Sequence, residues 1–326
     1  MSKSSTSNQD LSTSNQVQQI STEPEYAGQR IDNFLFSLLK GVPKTHIYRI
    51  IRKGEVRVNK RRIKPPYKLE AGDIIRIPPI RIADAKNIPE ILDKQLAELQ
   101  RCIIFEDKDL IILNKPSGLA VHGGSGINYG VIEGLRKLYS QEKRLELVHR
   151  LDRDTSGCLL VAKKPSVLKI LHEMLRNNQI EKTYLALLKG KLQNKNRIVV
   201  DNPLRKYVTK SGERRVSISD LESGKEAKTL IYPQAIFSNT SLVEIKLITG
   251  RTHQIRVHCQ FLAHPIVGDD KYGDENFNSE MKKAGVSRLF LHAKSLKFKH
   301  PVSGELLNPT ASLDSQLQQF LDRAYE

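Results

Sequence analysis

Residues 147–164 read LVHRLDRDTSGCLLVAKK. Two apolar, strand-like flanks bracket the loop HRLDRDTSG, whose nine residues hold five charged or imidazole groups and end in Gly157, which tolerates tight backbone geometry. A polar loop held between buried strands is where a rigid scaffold presents reactive groups. The composition leaves the chemistry open. His149, Asp152 and Asp154 could hold a divalent metal, or Asp152 could act as nucleophile or base. The charges could also simply pair across a turn, which is the commoner outcome for such a loop.

A second polar segment, ITGRTHQIRVHCQFLAH at 248–264, shifts the balance. Thr252 is the expected N-cap of a helix on which Ile255, Cys259 and Leu262 share one face, while Arg256 points elsewhere with Gln260. Arg256 can therefore reach a partner off the helix. A carboxylate beside a fixed guanidinium stays ionised, and the planar fork of Arg can grip both oxygens. Such a carboxylate serves as nucleophile or electrostatic stabiliser. His253 and His258 stand at i, i+5, on different sides of a helix, which argues against zinc.

Around these segments, strands are expected at 145–148, 159–162, 183–188, 229–236, 242–248 and 289–298, with a hairpin turning at Asp107 to Asp109. Apolar spacing predicts helices over 166–178 and around Leu313, Leu317, Phe320 and Leu321. Strands outnumber helices without alternating with them, so the expected class is α+β.

The 326 residues suggest two domains. Residues 1–22 contain 16 Ser, Thr, Asn or Gln, so a disordered polar tail is expected over 1–25. Residues 82–100 mix Asp, Lys, Asn, Pro and Glu and read as a linker. The net charge is +17, and 28–81 carries 14 Lys and Arg against 4 Asp and Glu, a net +10. Such a module attracts nucleic acid through counterion release. Within it, helical spacing from Ile31 ends at Gly41, a second helix runs from Pro43 to Gly54, and short strands at 56–58 and 74–77 flank Lys60, Arg61, Arg62 and Lys64.

Cys102, Cys158 and Cys259 form no CxxC pair, so neither disulfides nor cysteine-bound zinc are expected. No apolar run reaches membrane-spanning length and the N-terminus lacks a signal sequence, so the expected protein is soluble and cytoplasmic. With no Trp and no long basic amphipathic helix, a membrane surface ranks well below nucleic acid as partner.

The segments GQRIDNFL, KGEVRVN and LEAGDIIRIP give residues 26–81 a resemblance to the S4 RNA-binding domain. That resemblance implies phosphate contacts for Arg49, Arg52, Lys53, Arg57, Lys60, Arg61 and Arg62, although any one of them could be a solvated face residue. The rest, 101–326, resembles the RluA-type pseudouridine synthases. HRLDRDTSG at 149–157, GRTHQIRVH at 250–258, KPSGLAVHGG at 115–124 and EKTYLALLKG at 181–190 carry the resemblance. GDDKYG at 268–273 does not contradict it.

The implied catalytic domain is built on a mixed, mainly antiparallel sheet. The implied reaction isomerises uridine in RNA, most naturally 23S ribosomal RNA: the N-glycosidic bond breaks, the held uracil turns, and C5 joins C1′. By the same resemblance Asp152 is the essential aspartate, Tyr184 the active-site tyrosine, Arg256 its partner, and Arg150 a residue that enters the RNA stack where the base is extruded. Asp152 attacks the ribose or the uracil ring, or assists proton removal. His149, Thr155, Ser156 and Gly157 shape the loop, and Asp154 is structural or solvated. Lys115, His122 and His253 belong to matched motifs without assigned chemistry. The basic segment with Arg205, Lys206, Lys210, Arg214 and Arg215 is an RNA grip or a solvated hairpin. No nicotinamide, ATP or metal is implied, and a monomer is expected. The alternatives are a synthase acting on transfer RNA, a catalytically idle assembly factor of the same fold, and a metal-dependent RNA hydrolase using His149, Asp152 and Asp154.

Overall fold

The structure, a computed structural model, describes residues 16–39, 42–80, 91–123, 129–141, 144–193, 196–209 and 211–326. Most of the expected tail, Gly41, residues 82–90 of the expected linker, Gly124 and Lys210 lie outside the described residues. The described chain falls into two compact units, one within 1–90 and one within 91–326.

In the first unit, β1 (Gln18–Ser21) precedes α1 (Ile31–Leu38) and α2 (Lys44–Lys53), and β2 (Arg57–Val58), β3 (Arg61–Arg62) and β4 (Ile74–Ile77) follow. The sheet order is β1-β4-β2-β3, all antiparallel. Ile31, Leu35, Ile47, Ile50, Ile51 and Ile75 are fully buried where the two helices meet the sheet. Gly54 ends α2 at φ 72°, and a Cβ there would come within 2.3 Å of the Arg62 side chain. β1 corrects the expectation of a tail through residue 25. Ile20 packs on this core and the strand pairs with β4, whose backbone groups would otherwise lack partners.

The second unit opens with α3 (Asp93–Arg101), β5 (Ile103–Glu106), β6 (Leu110–Lys115), α4 (Val131–Leu138), β7 (Glu146–Leu147) and β8 (Ser156–Ala162). Next come α5 (Pro165–Arg176), β9 (Glu181–Lys189), β10 (Ile198–Asp201), β11 (Leu204–Val208), β12 (Arg214–Ile218), β13 (Lys228–Ile236) and β14 (Thr240–Leu247). The unit closes with α6 (Gln254–Phe261), α7 (Glu275–Lys283), β15 (Leu291–Lys299), β16 (Leu306–Leu307) and α8 (Ser315–Tyr325). α3 corrects the expected linker: Leu96 and Leu99 are buried, and its contacts are with α4, so residues 93–100 belong to the fold.

The large sheet runs β10-β13-β14-β9-β15-β8-β6-β5, with β7 on β8 and β16 on β15. Every pairing is antiparallel except β15 with β8. The fold is α+β. All seven residues of β8 are buried, which is why its sequence is an unbroken small and apolar run. Val167, Leu171 and Met174 of α5 join the same core. β11 and β12 form a separate two-stranded ribbon, so the basic segment is a hairpin. Among the described residues, no helix is long and apolar enough to cross a membrane.

Candidate active site

The loop 149–155 hangs between β7 and β8, and the KPSGLA segment after β6 holds it from below. Lys115 is completely buried, and its Nζ donates to the carbonyls of Pro116, Leu119 and Arg153 at 2.8, 2.8 and 2.9 Å. Burial pushes this ammonium down to about 7, and the charges of Asp154 and Asp152 oppose the shift. Three carbonyl acceptors require three N–H donors, which only the charged form has, so we assign Lys115 as an ammonium. Gly118 N also donates to the Arg153 carbonyl, and Ser117 Oγ to that of Asp154. Asp154 itself pairs with Arg153 at 3.0 Å near the surface.

The upper end of the loop is fixed as firmly. His149 Nε2 accepts a hydrogen bond from Leu160 N at 3.1 Å, so this imidazole serves the backbone of β8. Burial drives its pKa down to about 4. Ser156 Oγ bonds His292 Nδ1 at 2.9 Å and accepts from Arg288 at 3.1 Å. Gly157 sits at φ 106°, where β8 meets β15 in parallel, and a Cβ there would lie 2.2 Å from the Ala293 carbonyl oxygen. No other residue type fits.

α6 supplies the opposite wall. Its N-cap is His253, in the left-handed region at φ 54°, and not the expected Thr252. Among the described residues, no side chain caps α6; Gln254, its first residue, is buried and ties the preceding chain to the sheet: its Oε1 accepts from Arg251 N, and its Nε2 donates to the Lys228 carbonyl and to Thr229 Oγ1. Ile255 and Cys259 pack in the main core, as their shared face predicts. His258 is tied to Thr229 and the Asn202 carbonyl, so both its nitrogens are engaged away from His253.

Arg256 makes the expected ion pair with Asp152, but only with one nitrogen. Its fork grips Asp269, not Asp152: Nε and Nη2 each donate at 2.6 Å to the two oxygens of that fully buried carboxylate. Nη1 remains, 3.6 Å from Asp152 Oδ2. Burial disfavours the guanidinium charge, but the Asp269 hydrogen bonds outweigh it and raise the pKa, so Arg256 is permanently charged. A desolvated carboxylate such as Asp269 needs an equally buried partner, whereas Asp152 keeps contact with the cavity.

Asp152, Arg150, Tyr184, His253 and Arg256 line one cavity at the meeting of the loop, β9 and α6. Arg150 is exposed at its mouth. Tyr184 is buried, and burial together with the Asp152 charge raises its pKa, so the phenol keeps its proton. His253 Nε2 lies 3.8 Å from Asp152 Oδ2. Asp269, Tyr272 and His253 are the residues to which sequence reasoning assigned no role; the available signal was the GDDKYG segment, which on its own only fails to contradict the resemblance.

The seven basic residues implied by the S4 resemblance lie in the first unit. Arg49, Arg52, Lys53, Arg57, Lys60, Arg61 and Arg62 are all exposed on α2 and the turn after it. Asn59 and Lys60 take positive φ at the β2–β3 turn, and Arg62 donates to the Lys53 carbonyl. Among the described residues, the one three-ligand cluster with metal-like spacing is Asp107, Asp109 and His300, far along the chain from the loop. His300 Nδ1 accepts from Val302 N and Ser303 N, which puts the proton on Nε2 and removes the lone pair a metal would need.

The model for RNA pseudouridylate synthases matches residues 109–261, and that for the S4 domain matches 29–75. The chain is 52% identical to ribosomal large subunit pseudouridine synthase C of Haemophilus influenzae, covering 95% of this chain and 96% of that one. The chain belongs to the RNA pseudouridylate synthase family. It is thus an isomerase acting on RNA. The synthase C of Escherichia coli is likewise 52% identical, over 94% of this chain and 96% of the relative. Among solved structures, human RNA pseudouridylate synthase domain containing 4 superposes with a TM-score of 0.58 at 28% identity, covering 71% of this synthase and 95% of that chain.

Proposed function

We propose that this synthase converts uridine to pseudouridine in 23S ribosomal RNA of the large subunit, with Asp152 as the catalytic carboxylate. The name shared by relatives that match nearly end to end supports the substrate. The observation that carries the site is the placement of Asp152: one carboxylate oxygen faces Arg256 Nη1 and His253 Nε2, and Tyr184 lines the same cavity. At 3.6 and 3.8 Å these are approaches, not formed hydrogen bonds, as is common in a site before substrate tightens it.

The reaction breaks the bond from N1 to C1′ and makes one from C5 to C1′. The C5 proton leaves to water and N1 acquires a proton, so no redox partner is needed. Tyr184, protonated and apolar-faced, is suited to stack on uracil and to relay that proton. Arg150, exposed at the mouth, is suited to fill the gap left by an extruded base. The seven candidate basic residues of the S4 domain position the RNA through its phosphates. A monomeric enzyme working in the cytoplasm, where ribosomal RNA is found, is part of this reading.

The test uses RNA tritiated at uracil C5, incubated with wild type and Asp152→Asn in excess chelator. Wild type releases tritium to water and Asp152→Asn does not. Silence of the wild type on ribosomal and transfer RNA would return the reading to an idle assembly factor. Strand cleavage that chelator abolishes would return it to a hydrolase. Mapping the modified uridines decides between ribosomal and transfer RNA.

A further inference from the structure

His253 occupies a strained backbone position beside Asp152, and a single buried hydroxyl touches its other ring nitrogen. Tyr272, 3% exposed, lies in the GDDKYG turn, with its oxygen 2.8 Å from His253 Nδ1. That oxygen already accepts a hydrogen bond from Val216 N at 3.0 Å. The hydroxyl proton therefore goes to Nδ1, the remaining polar partner in the described structure. Nδ1 is then an acceptor, and the imidazole proton sits on Nε2, the nitrogen that faces Asp152 Oδ2. The other tautomer would strand the buried hydroxyl proton and point a lone pair at a carboxylate.

We propose that Tyr272 is a positioning residue that fixes the tautomer of His253, so that an N–H donor is always presented to Asp152. The same residue organises the second donor. Tyr272 N donates to Asp269 Oδ1 at 2.9 Å, and the Arg256 guanidinium lies 5.1 Å over the Tyr272 ring. Through Val216 on β12, the basic hairpin is docked onto the same hydroxyl. A left-handed φ at a non-glycine residue is tolerated when its surroundings over-determine it, and here Tyr272, Asp152 and the start of α6 do so.

The inference rests on Asp152 carrying the reaction. Its test is Tyr272→Phe, which keeps the ring and its contact with Arg256 and removes only the hydroxyl. Tritium release should show kcat about tenfold lower with KM for RNA nearly unchanged, the pattern of a lost transition-state contact. Nitrogen-15 NMR of histidine-labelled protein at alkaline pH should find His253 protonated at Nε2 in wild type and as a tautomer mixture in Tyr272→Phe. Wild-type protonation at Nδ1, or an undiminished kcat in Tyr272→Phe, overturns the proposal. Undiminished turnover in Asp152→Asn instead overturns the assignment of Asp152, and the NMR result then still reads the Tyr272–His253 contact by itself.

Discussion

Arg256 and Asp269 form a two-pronged, fully buried ion pair whose bonds are both 2.6 Å, and this pair, not one with Asp152, sets the direction of the guanidinium. Asp152 is served by the one nitrogen left over. An aspartate that must approach a substrate cannot also be locked in a bidentate grip, so a second carboxylate takes the grip and aims the cation. Asp269→Asn keeps acceptors for the amides of Lys271 and Tyr272 and removes the charge. Urea unfolding should show a loss of about 3 kcal/mol, the scale of a buried charge left unpaired. Single-turnover tritium release should slow in the same variant.

Gly157 joins the loop to the sheet where two backbones nearly touch. Gly157→Ala must move either β8 or β15, since the added carbon would lie 2.2 Å from the Ala293 carbonyl oxygen and φ is 106°. The expected cost exceeds about 2 kcal/mol, read as a lowered thermal midpoint.

His149 is a neutral acceptor for Leu160 N, and burial brings its pKa from 6.5 to about 4. The unfolded chain binds this proton more readily, so its contribution to stability is complete above 6.5 and is lost as pH falls toward 4. His149 as a whole residue is only partly buried, so the loss is expected to be about 1–2 kcal/mol. NMR titration of the ring protons should give a midpoint well below 6.5. His149→Gln should unfold with a correspondingly weaker acid dependence across that window.

Arg150 separates function from folding. Its side chain is exposed, so Arg150→Ala should leave stability within about 0.5 kcal/mol of wild type. If it fills the space of the extruded base, kcat/KM on structured RNA should fall about tenfold or more, and less on a short unstructured oligonucleotide.

Replacing Lys60, Arg61 and Arg62 together by Ala should weaken RNA binding and flatten its dependence on salt. Each lost phosphate contact lowers the slope of log K against log salt by roughly 0.7–0.9. A slope unchanged within error would make these residues an uninvolved solvated face.

What could be read from the chain alone was whatever is written locally. The apolar runs of β8, β9 and β14, the helix spacing of α2 and α5, and the segments around Asp152, Tyr184 and Arg256 are legible because each depends on neighbours in sequence. β10 escaped notice, being short, and so did β1 and α3, while β11 and β12 were seen only as a basic segment that could be a hairpin. Each of these is stabilised by a partner that arrives from elsewhere: β1 by β4, α3 by α4, β10 by β13.

The same division runs through the site. The sequence by itself determined the family, and it singled out Asp152, Tyr184 and Arg256 as candidates, since those are residue types at fixed positions in contiguous motifs. Which carboxylate the guanidinium grips, and which histidine nitrogen carries the proton, only the tertiary structure decided. A hydrogen bond needs donor and acceptor within about 3 Å and well aligned, and Asp269 and Tyr272 come that close to Arg256 and His253, and Val216 to Tyr272, only once the chain has folded.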